Sequence, residues 1–192
     1  MDRVIDIVAE DSVAAEICKK LVTTYLQDFV IGLEYPFRSV SRLCADFFKY
    51  NQLAKSHPVL LISDLDDMSK CPRNRIEECL GLPLDQKSEL FKICLAVDEC
   101  ESWLLADDLG ISSFFHIHPN IVPASKVLPA WGDNYKEVSL NYKSSYFFTK
   151  DVKLHSSRPN LFDGICSSDG RYNKGSLYNH YMSQFVKGYW NP

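Results

Sequence analysis

The stretch Val59-Leu60-Leu61-Ile62-Ser63-Asp64-Leu65-Asp66-Asp67 constrains this chain most: an apolar run with the length and β-branched content of a buried strand closes abruptly on three carboxylates. Carboxylates crowded within a few ångströms repel one another and resist desolvation, so such a cluster implies a hard divalent cation between them. Val4-Ile5-Asp6-Ile7-Val8-Ala9-Glu10-Asp11 has the same shape, an apolar run closing on Glu10 and Asp11. Two acidic strand ends in one chain point to a shared metal site. Asp64 and Asp66 stand two residues apart and share a face if strand geometry continues, whereas Asp67 points elsewhere.

The segments between these strands are helical in pattern. Ser12 is placed to cap a helix whose apolar residues Val13, Ala14, Ile17, Cys18, Leu21 and Val22 fall on one face. Ser39 to Ala54 is a second amphipathic helix, and His57-Pro58 then leads into the strand that delivers Asp64. Arg73 to Leu80 continues the pattern as helix, Phe91 to Val97 as strand and Asp98 to Asp108 as helix. Strands alternating with helices specify an α/β fold with a mostly parallel central sheet and helices on both faces. In such sheets the functional crevice lies beyond the carboxyl ends of the strands, which is where Glu10, Asp64, Asp66 and the group Asp98, Glu99 and Glu101 are expected.

The net charge of −4 argues against a polycation that coats nucleic acid. From residue 143 to 192, however, seven basic side chains stand against three acidic ones, a surplus of four that leaves −8 on residues 1–142. The sequence therefore divides into an α/β domain, 1–142, and a basic, aromatic-rich C-terminal extension, 143–192, expected to pack on the same core. Tyr178, Tyr181, Met182, Phe185 and Val186 keep helical spacing, so Ser176 to Lys187 is expected as a closing helix and not as a base-stacking platform.

The seven cysteines are odd in number and lack any CxxC pair, the pattern of reduced thiols in a cytoplasmic protein and not of a disulfide framework or zinc knuckle. No apolar segment reaches membrane-spanning length. His116-Ile117-His118 is followed by Pro119 and Pro123 and is expected to be an ordinary loop. No Walker lysine loop, GxGxxG or GxSxG occurs, so any ATP dependence must come from a partner.

A glutamate directly after the first strand, here Glu10, followed by Asp64-Leu65-Asp66 after a later strand, resembles the Toprim domain of topoisomerases, primases, recombination mediators and OLD-type nucleases. More narrowly, the string Val97 to Asp107 and the ending Lys174-Gly175-Ser176-Leu177-Tyr178-Asn179, Phe185-Val186 and Trp190-Asn191-Pro192 look like a bacterial Toprim-like family. Members of that family are encoded beside AAA- or ABC-type ATPases in phage-defence clusters. Where many Toprim domains have glycine after the glutamate, this chain has Asp11.

The resemblance implies a Mg²⁺- or Mn²⁺-dependent nuclease acting on DNA or RNA, the effector beside an ATPase subunit, with homo-oligomerisation open. Glu10, Asp64 and Asp66 are then the metal ligands, and Glu101 holds a second metal or orients the first. Lys126, Lys143 or Arg158 would meet the charge on the scissile phosphate. Two other classes fit the same acidic strand ends. One is a catalytically silent module of this fold that binds and regulates the ATPase. The other is a receiver-like phospho-acceptor domain, disfavoured because the chain is longer than such a domain needs and no lysine closes a final strand beside Asp64.

Overall fold

A computed structural model describes residues 3–35, 39–65, 71–123, 144–168 and 173–192. The chain divides into two compact units, Met1–Val97 and Asp98–Pro192. The shift to basic composition at residue 143 falls inside the second.

The first unit alternates β1 (Arg3–Ala9), α1 (Ser12–Tyr25), β2 (Phe29–Glu34), α2 (Val40–Leu53), β3 (Val59–Asp64), α3 (Pro72–Leu80) and β4 (Phe91–Ala96). Its four strands are all parallel, in the order β2-β1-β3-β4. The expected α/β architecture with a parallel sheet is therefore the observed one. The path from β1 to β2 runs one way across the sheet and the path from β2 to β3 runs back, so right-handed crossovers put α1 on one face and α2 and α3 on the other. On the α2/α3 face, Val8, Val59, Leu61 and Phe91 meet Leu43, Phe47, Tyr50, Ile76 and Leu80 in one cluster. Each such side chain contributes about 1.5–3 kcal/mol of transfer free energy. β1 is buried from Ile5 to Ala9, as a central strand covered on both faces must be.

The sequence reading did not include β2. It is an edge strand with no buried residue, and its apolar run Phe29-Val30-Ile31 is cut after three residues by Gly32, shorter than the runs that mark the other strands. Its register against β1 slips by one residue between Ile5 and Ile7, a bulge that frees the Leu33 amide. Asp6, buried in mid-strand, accepts that amide at 2.8 Å, and its other oxygen lies 2.7 Å from His57 Nε2. A Cβ on Gly32 would collide with the Asp6 carboxylate, which explains why glycine occupies the bulge.

Two local expectations change. The cap of α1 is Asp11, whose side chain accepts the Ala14 amide at 2.9 Å, and not Ser12, the helix's first residue. The cysteines are not all reduced: Cys44 of α2 and Cys79 of α3 form a disulfide, while Cys18, Cys71, Cys94, Cys100 and Cys166 stand outside any disulfide. The two partners lie 35 residues apart, and only the packing of α2 against α3 brings them together.

The second unit holds α4 (Glu101–Leu104), α5 (Asp108–Phe115), a helical run α6 (144–155) with a π-helical middle at Phe147–Val152, and α7 (Tyr178–Gly188). The single helix expected over 98–108 is thus two. Asp107 breaks it by leaving helical geometry and capping α5 through the Gly110 amide at 2.9 Å. The other Asp107 oxygen accepts the Asn191 amide at 2.8 Å, so this residue also ties down the chain's ending. The core here is aromatic, with Phe115 against Phe148, Phe162 and Phe185, and Phe147 against Phe148. The expected closing helix is α7, with Tyr178, Met182, Phe185 and Val186 buried in that core. His116 takes left-handed geometry (φ 52°) at the end of α5, and His118 caps a single 3₁₀ turn, so both imidazoles lie in a connecting segment. Among the described residues, no helix is long and apolar enough to cross a membrane.

Candidate functional site

The strand order reverses between β1 and β3, and this switch point is where a parallel sheet opens a crevice beyond its carboxyl ends. Glu10 directly follows β1, and Asp64 is the last residue of β3. The structure brings the two together: Glu10 Oε2 accepts the Asp64 amide at 3.2 Å and the Ser63 hydroxyl at 3.0 Å. Glu10 thus reaches across to the end of the neighbouring strand. Asp11 sits with φ −143° and ψ −175°, an extended conformation open to any residue, so the turn has no need of the glycine common at that place in Toprim domains.

Asp66 and Asp67 lie outside the described residues, as do Lys126 and Lys143. Among the described residues, no three His, Cys, Asp or Glu side chains gather as metal ligands. The donor chemistry nonetheless fits a hard cation. Both described candidates are carboxylates, both are partly exposed, and Mg²⁺ characteristically takes one or two protein carboxylates and keeps several waters.

Glu101 belongs to the second unit. It is 3% exposed in the first turn of α4, and burial pushes its carboxyl above the usual range, with Glu99 adding to the rise and Lys174 opposing it. Lys174 Nζ lies 2.8 Å from Glu101 and 3.6 Å from Glu99, and 5.0 Å from the ring centre of Tyr178. The neighbouring carboxylates serve the backbone: Asp98 accepts the Ser144 amide at 3.0 Å and its hydroxyl at 2.8 Å, while Glu99 accepts the Ser145 amide at 2.8 Å, together satisfying the start of α6. Arg158 is exposed and precedes a 3₁₀ turn.

Sequence reasoning passed over Ser63 and Lys174 as site residues. A serine at the end of an apolar strand carries no signal of its own. Lys174 is 73 residues from Glu101, and what marks its position is the tightness of its surroundings. It pairs with Cys166 in an isolated antiparallel bridge, the Gly175 amide donates to Ile165 O at 2.7 Å, and the carbonyls of Gly164 and Cys166 leave no room for a Cβ on Gly175.

A third polar line joins Ser56, His57 and Asp6. His57 Nδ1 is 3.1 Å from Ser56 Oγ and its Nε2 is 2.7 Å from Asp6, the connectivity of a hydrolase triad. It does not serve as one. The Ser56 hydroxyl donates to Leu53 O at 2.8 Å, and the carbonyls at the end of α2 disfavour any developing oxyanion. Tyr35 also bonds to Asp6, and burial followed by that carboxylate's charge raises its phenol above the usual range. The line is a polar clamp that runs from the exposed Ser56 to the buried Asp6.

No protein-family model, no curated protein and no solved structure matches this chain.

Proposed function

We propose that the chain is a Mg²⁺- or Mn²⁺-dependent nuclease that hydrolyses a phosphodiester at the strand-end site of its parallel sheet. The observation that carries this reading is the meeting of Glu10 and Asp64 at the topological switch point, with Glu10 Oε2 3.2 Å from the Asp64 amide. Glu10 and Asp64 would hold the cation, with Asp66 expected from its spacing to join them. A divalent cation bound there supplies an acidified water for attack on phosphorus and offsets charge on the phosphate oxygens. Glu10 is kept in place by two hydrogen-bond donors, and its carboxylate is suited to accept a proton or to bind the cation. In the second unit Lys174 lies 2.8 Å from Glu101 and 3.6 Å from Glu99 and opposes the rise that burial imposes on the Glu101 carboxyl. The ATPase partner and the phage-defence setting rest on the resemblance alone.

The test is cleavage of plasmid DNA and of total tRNA by the purified chain in Mg²⁺ and in Mn²⁺, with Glu10→Gln and Asp64→Asn alongside. Cutting that chelation abolishes and that either substitution lowers at least about 10²-fold supports the reading. Undiminished cutting by both variants overturns it. A chain that binds Mn²⁺ but cuts neither substrate, alone or with an ATPase, is instead the silent regulatory module.

A further inference from the structure

We propose that Ser63 is a positioning residue for the strand-end site, acting through Glu10; the inference rests on the metal reading above. Ser63 belongs to the β3 face that carries Val59 and Leu61, the row that builds the apolar cluster beneath α2 and α3. It is only 2% exposed, and a hydroxyl there is costly unless it is bonded. Its short bond is to Glu10 Oε2 at 3.0 Å, against 3.3 Å to the Asp64 carbonyl.

The next residue, Asp64, donates its backbone amide to that same oxygen at 3.2 Å. Two consecutive residues of β3 therefore grip one carboxylate oxygen that arrives from the end of β1. Glutamate has three side-chain torsions, and left alone it would sample many rotamers at a strand end. The grip selects one of them and fixes where the carboxylate stands relative to Asp64. The amide bond is supplied by the backbone whatever the side chain, so the serine hydroxyl is the part of the grip that depends on sequence. Outer partners of this kind characteristically set metal affinity by 10- to 100-fold without touching the metal.

The test is Mn²⁺ binding to the full chain by calorimetric titration, for wild type, Ser63→Ala, Ser63→Thr, Glu10→Ala and the double variant Ser63→Ala/Glu10→Ala, each checked for folding by its thermal transition. Ser63→Ala is expected to weaken Mn²⁺ binding about tenfold, and Ser63→Thr, which keeps the hydroxyl, to recover most of the loss. In the Glu10→Ala background, removing the hydroxyl is expected to change nothing further, because its route to the metal is already gone. Should Ser63→Ala fail to fold, Ser63→Cys, nearly equal in volume but a weak donor, carries the same expectation. Unchanged affinity in a folded Ser63→Ala or Ser63→Cys, with loss in Glu10→Ala, overturns this proposal and spares the metal reading. An equal loss in both backgrounds overturns it too. A wild type without Mn²⁺ binding, or a Glu10→Ala that binds as wild type does, overturns the metal reading and this inference with it.

Discussion

At the scale of single residues, the second unit concentrates its electrostatics on Lys174. Glu101 is 3% exposed and its counter-ion lies 2.8 Å away, so Lys174→Met leaves a buried carboxylate without a partner. Complete burial of both ions would make that loss 3–5 kcal/mol; because Lys174 remains about a third exposed, about 2 kcal/mol is expected, read as a fall in the urea midpoint. The pH dependence has a definite sign. Burial raises the folded pKa of Glu101 above its unfolded value, so between the two the native state binds more protons than the unfolded one, and stability falls as pH rises through that window. The difference in stability between wild type and Glu101→Gln should therefore move against wild type on going from acid upward through the raised value, and a difference independent of pH would refute the assignment. In the first unit, Gly32→Ala pushes a methyl group into the Asp6 carboxylate, which the Leu33 amide and His57 hold in place. A loss of about 1–3 kcal/mol is expected from thermal unfolding. Of the site residues, Glu10 and Asp64 were legible because each closes an apolar run; Lys174 and Ser63 were not, because their roles exist only once distant segments meet.

At the scale of elements, legibility followed burial. β1 and β3 are mostly buried apolar runs, β4 is a largely apolar run buried only at Phe91 and Ala96, and α1, α2, α3 and α7 carry one apolar face each, so apolar pattern finds all seven. β2 escaped because its apolar run is cut to three residues by Gly32 and none of it is buried, and the break at Asp107 escaped because a carboxylate that caps a helix is locally indistinguishable from one within a helix. The Cys44–Cys79 bond escaped for a related reason: its closure follows from α2 lying against α3. α3 contributes only Ile76 and Leu80 to the buried core, so a covalent tie supplies much of its attachment. For a separation of 35 residues the chain-entropy account assigns such a bond about 3–4 kcal/mol. The Cys44→Ser/Cys79→Ser variant should lose stability by about that amount in urea titration, and dithiol-treated wild type should fall to the same midpoint. If oxidised and reduced wild type unfold together, the bond contributes nothing to the native state.

At the scale of the molecule, the first unit, Met1–Val97, contains all four strands, α1 to α3, the disulfide and the aliphatic cluster under α2 and α3. Within the second unit, Phe115, Phe147, Phe148, Phe162 and Phe185 pack against one another. A chain of fewer than 100 residues lies within the range that folds alone, and here it keeps every backbone partner of its sheet. Glu10, Ser63 and Asp64 also belong to it, so the proposed cation grip is complete without the second unit as far as these three residues are concerned. A chain ending at Val97 is therefore expected to show a single cooperative urea transition by circular dichroism and to bind Mn²⁺ with the affinity of the full chain, reduced by Glu10→Ala in both. A fragment that folds cooperatively but binds no Mn²⁺, beside a full chain that does, would move the metal ligands into residues 98–192 and displace Glu10 and Asp64 from the centre of the proposed chemistry.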